Sequence, residues 1–333
     1  MRIAVDAMGG DFAPREIVAG AVEAAVRMPK VSKIILVGDE LAIRAELAKC
    51  AVVPPNVEVL HASEVIGMAE APALAVRKKK DSSISRAVDL VKEGQADAVV
   101  SAGNTGAVVV AALLKLRTLE GVKRPAIATV LPTPTKPFVL IDAGANMDSD
   151  ATLLAQFAVM GSVYSREILH NSNPMVGLMS IGEEASKGND VTKEAFRLLS
   201  GSNLSFKGNV EGHDLFEGWI DVVVCDGFVG NVVLKTSESV AVAIGAVLKR
   251  EFSRNLLRKF GAMFLLSSLK ELKSKMDPEQ SGGAHLLGVN GTCIITHGAS
   301  SRRAIFHAVR VVCESLAQRV NHQIVDELKK NGF

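Results

Sequence analysis

The chain has 333 residues, 48% of them apolar and 22% charged, enough to bury a large core in one broad domain or two tightly joined lobes. Thirty-eight Lys and Arg against 36 Asp and Glu leave a net charge of +2, and aromatics make up only 4%, so the sequence offers neither a field that gathers nucleic acid nor a platform that stacks bases. Four scattered cysteines (Cys50, Cys225, Cys293, Cys313) form no CxxC, which argues against a disulfide framework or a cysteine-ligated zinc and predicts a reducing, cytoplasmic compartment.

The opening Met1-Arg2-Ile3-Ala4-Val5-Asp6 puts a carboxylate where a secretion signal needs apolar residues, and no run reaches about 18 uninterrupted apolar residues. The expectation is a protein neither secreted nor membrane-spanning. In chain order, Val/Ile/Ala-rich runs at 2–5, 33–37, 56–60, 96–101, 126–131, 137–141, 175–180, 222–225 and 292–296 predict buried strands. Apolar residues at 3.6-residue spacing predict helices at 16–27, 83–92, 105–116, 150–165, 235–249 and 301–328. Continuously apolar strands alternating with helices predict an α/β, doubly wound, mainly parallel sheet covered on both faces. Glycine-rich turns follow the strands at Gly9-Gly10, Gly103-Asn104-Thr105-Gly106, Gly144, Gly182, Gly227 with Gly230, and Gly298. All six are expected on one carboxyl edge, where open α/β sheets bind ligands, although each alone is also explained as a tight turn.

GxGxxG, GxxxxGK[ST], GxSxG and HExxH are absent, and the seven histidines lack metal-ligand spacing, so no metal and no cofactor is expected. What remains is a set of loops rich in amides, hydroxyls and backbone N–H groups: Asn104-Thr105, Asn146, Ser186-Lys187-Gly188-Asn189, Asn231, and His297 with Ser300-Ser301. Such donors at helix N-termini suit a phosphate dianion. Asn104-Thr105 and Ser300-Ser301 fit ordinary helix caps equally well. Lys187, in a polar loop after an apolar strand, either neutralises an anion or a developing oxyanion or is simply solvated. Asn231, between Gly230 and Val232-Val233-Leu234 at an expected loop-to-helix junction, either binds substrate or caps. His297 is either a satisfied turn residue or a group with a ligand or acid-base role.

Residues 249–275 hold eight basic side chains (Lys249, Arg250, Arg254, Arg258, Lys259, Lys270, Lys273, Lys275) against Glu251 and Glu271, a local charge of +6. The apolar centre at 260–269 is too short to span a bilayer and predicts a basic amphipathic helical hairpin at about 249–277 with Gly261 near the bend. Three readings fit it: buried core or dimer packing, a lipid-facing tip carrying Phe264, Leu265 and Leu266, and docking of an acidic carrier protein.

The stretch Ile3-Ala4-Val5-Asp6-Ala7-Met8-Gly9-Gly10-Asp11-Phe12-Ala13-Pro14 resembles the signature of the phosphate acyltransferases of bacterial phospholipid synthesis, the PlsX family. Further blocks agree: Ser101-Ala102-Gly103-Asn104-Thr105-Gly106-Ala107, Asp142-Ala143-Gly144-Ala145-Asn146, Ile181-Gly182-Glu183-Glu184 with Lys187-Gly188, Gly208-Asn209-Val210-Glu211-Gly212, Asp226-Gly227-Phe228-Val229-Gly230-Asn231, and Gly282-Gly283-Ala284 followed by Leu286-Leu287-Gly288. They run in family order from residue 3 to His297-Gly298, with Ala299 departing where the family often has serine. The resemblance implies transfer of a long-chain acyl group from acyl carrier protein to inorganic phosphate, giving acyl phosphate for a membrane glycerol-3-phosphate acyltransferase. It implies a three-layer α/β/α sandwich related to isocitrate dehydrogenase and phosphotransacetylase folds, and a homodimer. Together with the basic segment at 249–275 and the poor solubility of a long-chain acyl phosphate, it leads to an expected peripheral contact with the anionic inner face of the cell membrane. Lys187 and Asn231 are then the expected catalytic groups, with Gly9, Gly10, Asn104, Thr105, Asn146, Gly230, His297 and Ser300 on phosphate or pantetheine. Two rival readings are a phosphotransacetylase-like enzyme using acyl-coenzyme A and a non-catalytic membrane-docking scaffold.

Overall fold

The computed structural model describes residues 1–265, 267 and 278–332. In chain order its elements are β1 (Arg2–Asp6), α1 (Arg15–Arg27), β2 (Lys33–Gly38), α2 (Glu40–Leu47), β3 (Val57–His61), α3 (Pro72–Lys78), α4 (Ser83–Lys92), β4 (Ala98–Ser101), α5 (Thr105–Leu116), β5 (Ala126–Leu131) and β6 (Phe138–Ile141). There follow α6 (Ala151–Ile168), β7 (Met175–Met179), α7 (Asp190–Ser200), β8 (Ser205–Val210), β9 (Val222–Val224), α8 (Gly227–Ser253), α9 (Leu256–Phe264), β10 (Ala284–Leu287), β11 (Thr292–Ile295), α10 (Arg302–Ala317) and α11 (Val320–Lys330).

The eleven strands among the described residues form one sheet in the order β3-β2-β1-β4-β11-β10-β5-β6-β9-β7-β8. Its strands are short and Val/Ile-rich because both faces are covered, so alternation with polar residues is lost. One face carries α3, α4, α5 and the start of α8 over a single apolar cluster that includes Val76, Val88, Val108, Leu140 and Val223. The other face is covered by α1 and α10 at one end and by α6, α7 and α11 at the other. This is the α/β/α sandwich expected, and the sheet is mainly parallel.

The expectation of six loops on one edge needs correction. β10 is antiparallel to both β11 and β5, and β6 is antiparallel to β5, so β6, β9, β7 and β8 run opposite to β1, β2, β3, β4 and β11. The glycine loops therefore fall into two sets, one after β1, β4 and β11 and one after β6, β9 and β7. The helices that start from the two sets, α5 and α8, nevertheless pack into the same apolar cluster on the same face.

Other boundaries also differ. α8 begins eight residues before the expected 235, and the predicted helix 301–328 is two helices broken at Arg319, whose φ of 53° is left-handed. The turn of the basic hairpin falls at Arg254-Asn255, with Gly261 inside α9. Leu266 and residues 268–277, which complete the predicted hairpin, lie outside the described residues.

Candidate active site

The second set of loops is organised by a carboxylate. Asp142, fully buried at the end of β6, accepts N–H bonds from Ile127 (2.9 Å), Gly144 (3.2 Å), Ala145 (3.0 Å) and Asn146 (2.7 Å), and from the Asn146 Nδ2 (2.9 Å). Burial pushes this carboxyl above its ordinary range, while the converging N–H groups pull it back toward the ionised form. The loop 142–146 so fixed meets the first turn of α8: Gly227 N–H donates to the Asn146 carbonyl at 2.7 Å, and Asp226 caps the helix by accepting Val229 N–H at 2.8 Å. The contact is too close for side chains. A Cβ on Gly230 would lie 1.9 Å from the Asp142 carbonyl oxygen, and one on Gly227 2.6 Å from that of Asn146.

Asn231 follows in the second turn of α8, so it is helical and not the junction or cap expected; the cap is Asp226. Its side chain lies against Gly144, about where a Cβ there would sit 3.6 Å from the Asn231 Cβ, and its exposed amide has no hydrogen-bond partner among the described residues. Lys187 belongs to the neighbouring turn after β7. Its backbone N–H donates to the Glu184 carbonyl at 2.9 Å, and the Asn209 Nδ2 from the end of β8 donates to the same oxygen at 2.9 Å. The Lys187 stem packs across Gly182, where a Cβ would meet its Cγ at 2.8 Å, and its ammonium has no ion-pair partner among the described residues. The loops after β6, β9 and β7 thus carry an ammonium and, in the second turn of a 27-residue helix, an amide, both unpaired among the described residues.

The first set of loops has a matching carboxylate. Asp6, buried at the end of β1, accepts the Ser101 hydroxyl at 2.6 Å and Met8 N–H at 3.2 Å, with Ser83 and Gly9 N–H completing its partners. Burial likewise raises it. Gly9 fits between Asp6 and Gly103, where a Cβ would come within 2.4 Å of the Asp6 Oδ2, and Gly10 (φ 98°) lies under the Gly298 carbonyl, which accepts Asp11 N–H at 2.7 Å. Asn104, Asn146 and Ser300 do not offer the free donors expected of them. Asn104 caps α5 through Ala107 N–H (3.0 Å) and spends its Nδ2 on the carbonyls of Gly67, Met68 and Glu70. Asn146 bonds the Pro125 carbonyl and Asp142, and the Ser300 hydroxyl donates to the His297 carbonyl. The Thr105 hydroxyl and the Nε2 of His297 remain unbonded among the described residues, the His297 Nδ1 accepting Ala299 N–H.

Sequence reasoning missed Asp6, Asp142 and Asn209, the groups that hold the loops in place. The Asp-Ala step ending both β1 and β6 was the available signal. Burial raises the Cys225 and Cys313 thiols and pushes Cys293 up to about 12, which keeps these three protonated. Glu183, His213 and Asp214 bring ligand atoms within 4.8 Å of one another, but two of the three are exposed, and surface groupings of this kind are common without an ion.

An α/β sheet whose loops are fixed by buried carboxylates and carry a lysine and an amide unpaired among the described residues has the architecture of an enzyme site suited to an anion. The family model described as fatty acid synthesis protein matches residues 1–323. The phosphate acyltransferase of Pelotomaculum thermopropionicum is 51% identical over 324 residues, covering 97% of this chain and 94% of that one, and that of Halothermothrix orenii is 48% identical over the whole of both. The chain belongs to the phosphate acyltransferase family and is an acyltransferase. Its fold is also that of a phosphotransacetylase from Streptococcus pyogenes (TM-score 0.61, 21% identity, 95% of this chain and 94% of that one) and of the EutD phosphotransacetylase from Staphylococcus aureus (TM-score 0.59, 17% identity, the same coverage).

Proposed function

We propose that the protein transfers a long-chain acyl group from acyl carrier protein to inorganic phosphate, releasing an acyl phosphate for phospholipid synthesis. The observation that carries this reading is the Lys187 ammonium and the Asn231 amide, both exposed and unpaired among the described residues on one loop edge. Phosphate is itself an anionic oxygen nucleophile. One of its oxygens attacks the thioester carbonyl, the C–S bond breaks from the tetrahedral intermediate, and the departing thiolate takes the proton of the hydrogen phosphate. Lys187 and Asn231 hold the dianion and the developing oxyanion, interactions that strengthen as charge moves onto the carbonyl oxygen. Gly230 lets α8 approach the loop 142–146 that Asn146 braces. Gly9, Gly10, Thr105 and His297 line the neighbouring loops for phosphate or pantetheine, with Asn104 and Ser300 shaping them.

In the same reading the enzyme is a cytoplasmic homodimer that touches anionic membrane through α9, near the membrane acyltransferase that consumes its product. The test is incubation of the purified protein with labelled phosphate and either long-chain acyl carrier protein or acyl-coenzyme A. Phosphate-dependent acyl phosphate formation, faster with the carrier protein, is expected. A preference for short-chain acyl-coenzyme A would replace the proposal with the phosphotransacetylase-like reading, and no product from either donor would leave a scaffold.

A further inference from the structure

We propose that the rim formed by the loop 61–71, α3 and Lys79-Lys80 is the docking surface for the acidic carrier protein that presents the acyl thioester; the proposal rests on the donor assigned above. Position is the first argument. The Asn104 Nδ2 that caps α5 donates to the carbonyls of Gly67 (3.3 Å), Met68 (3.0 Å) and Glu70 (3.1 Å), clamping this rim onto the first turn of α5. Pro72, the first residue of α3, packs where a Cβ on Gly106 would come within 2.6 Å of its Cγ, and the Met68 Cε lies 3.0 Å from where one on Gly298 would stand. A protein seated here has its prosthetic arm directly at the loops after β1, β4 and β11.

Charge is the second. Arg77, Lys78 and Lys80 are exposed and have no ion-pair partner among the described residues, in a chain whose net charge is only +2. The rim's carboxylates are turned to internal work. Glu70 takes the Lys79 ammonium at 2.6 Å and Gly67 N–H at 2.7 Å, Asp81 takes the hydroxyl and N–H of Ser63 at 2.6 and 2.9 Å, and Glu64 takes Asp81 N–H at 3.1 Å. Both Glu70 and Asp81 are held below the usual carboxylate range by these bonds, so they stay anionic but committed. Three cations are left to face outward.

Surface chemistry is the third. Beside the cations stand Val65, Met68 and Leu74, 40%, 49% and 53% exposed, a small apolar patch with a flexible methionine that suits a protein partner's helix. Residues 61–80 contain no Phe, Tyr or Trp, so single-stranded nucleic acid has nothing to stack on. A patch this small also offers a membrane little to bury, unlike α8 and α9.

Replacing Arg77, Lys78 and Lys80 together by Glu (R77E/K78E/K80E) reverses the field at exposed positions without touching the core. The measurement is kcat/KM with a long-chain acyl group on carrier protein and with the same acyl group on pantetheine, at low and at raised salt. The carrier-protein value is expected to fall about 10-fold or more at low salt, the gap narrowing as salt rises, while the pantetheine value stays put, because rim charges act on encounter. Equal loss on both thioesters, or no loss on either, overturns the docking surface and leaves the donor assignment standing. A wild-type enzyme that does not prefer the carrier protein over pantetheine overturns the donor assignment and this surface with it. Loss of vesicle binding by the triple variant, with the carrier-protein value intact, assigns the rim to lipid headgroups instead.

Discussion

Asp6 and Asp142 do the same job at the ends of two strands: each is a buried carboxylate spent on the N–H groups of the loop that follows it. Asn at 142 would keep one acceptor and turn an NH2 toward donors, so Asp142→Asn is expected to lose about 1–3 kcal/mol of stability and most of the turnover, read by thermal melts and by rate. Lys187 differs in kind, since it is exposed and unpaired. Lys187→Ala should therefore melt as the wild type does while kcat falls about 100-fold, the scale of a lost oxyanion donor; a near-normal rate in the phosphate assay would remove it from the chemistry. The motif residues were legible because their types announce phosphate chemistry, but which of them are free was not. Asn104, Asn146, Asn231 and Lys187 look alike in sequence, and only the fold shows that the first two are already bonded. His285 was silent altogether. Fully buried on β10, edge-on to the Tyr164 ring and with neither nitrogen bonded, it is driven down to about 3 by burial. Its folded pKa lies below the ordinary 6.5, so its contribution is complete above pH 6.5 and is lost as pH falls, by about 1.4 kcal/mol per unit until about 3. His285→Leu should flatten that acid limb in melts taken between pH 7 and 5, and an unchanged slope would assign the acid sensitivity elsewhere.

Among the elements, the apolar strands and the caps of α5 and α10 follow from the sequence directly: Asn104 and Ser301 each accept N–H bonds from their own helix. β8 and β10 escaped notice for opposite reasons. β8 reads Ser205-Phe206-Lys207-Gly208-Asn209-Val210, polar because it is the edge strand, and β10 is four residues wedged between Gly282-Gly283 and Gly288. The reversal of polarity that splits the loops into two sets comes from the antiparallel pairing of β5 with β6, two strands the sequence places without showing their relative direction. The start of α8 was misplaced because Gly227 and Gly230 look like loop residues. They are helical glycines selected by contact, and that makes a sharp expectation. Gly230→Ala improves helix propensity yet puts a Cβ 1.9 Å from the Asp142 carbonyl oxygen, so it should lower stability by about 1–3 kcal/mol and displace Asn231. A stabilised, fully active variant would mean that α8 is not held against the loop 142–146.

At the scale of the molecule, α8 poses the question of what covers it. Among its 27 residues only Gly227 and Gly230 are buried, while Val240, Val242, Ile244, Val247 and Leu248 stand exposed. By length and composition it is apolar enough to cross a bilayer, yet its first turn is fixed in the site, so the rest is a projecting helix with apolar residues around it. Such a surface in water calls for a partner. Beyond the Arg254-Asn255 bend, α9 carries exposed Phe260 and Phe264, with Leu265 just past its end, alongside Arg254 and Arg258. Charge divides the two segments: along 239–248 there is no charged residue, which suits a second copy of the chain, whereas 249–259 is basic and suits anionic headgroups at about 1 kcal/mol per residue near the surface. Ile244→Asp is therefore expected to yield monomers by sedimentation velocity. Phe264→Glu with Leu265→Glu should remain dimeric but fail to pellet with anionic vesicles, and the wild type should pellet less as salt rises. A dimer that survives Ile244→Asp moves the subunit contact off α8. Equal pelleting of wild type and the α9 variant removes lipid from α9 and leaves its apolar residues to packing between subunits.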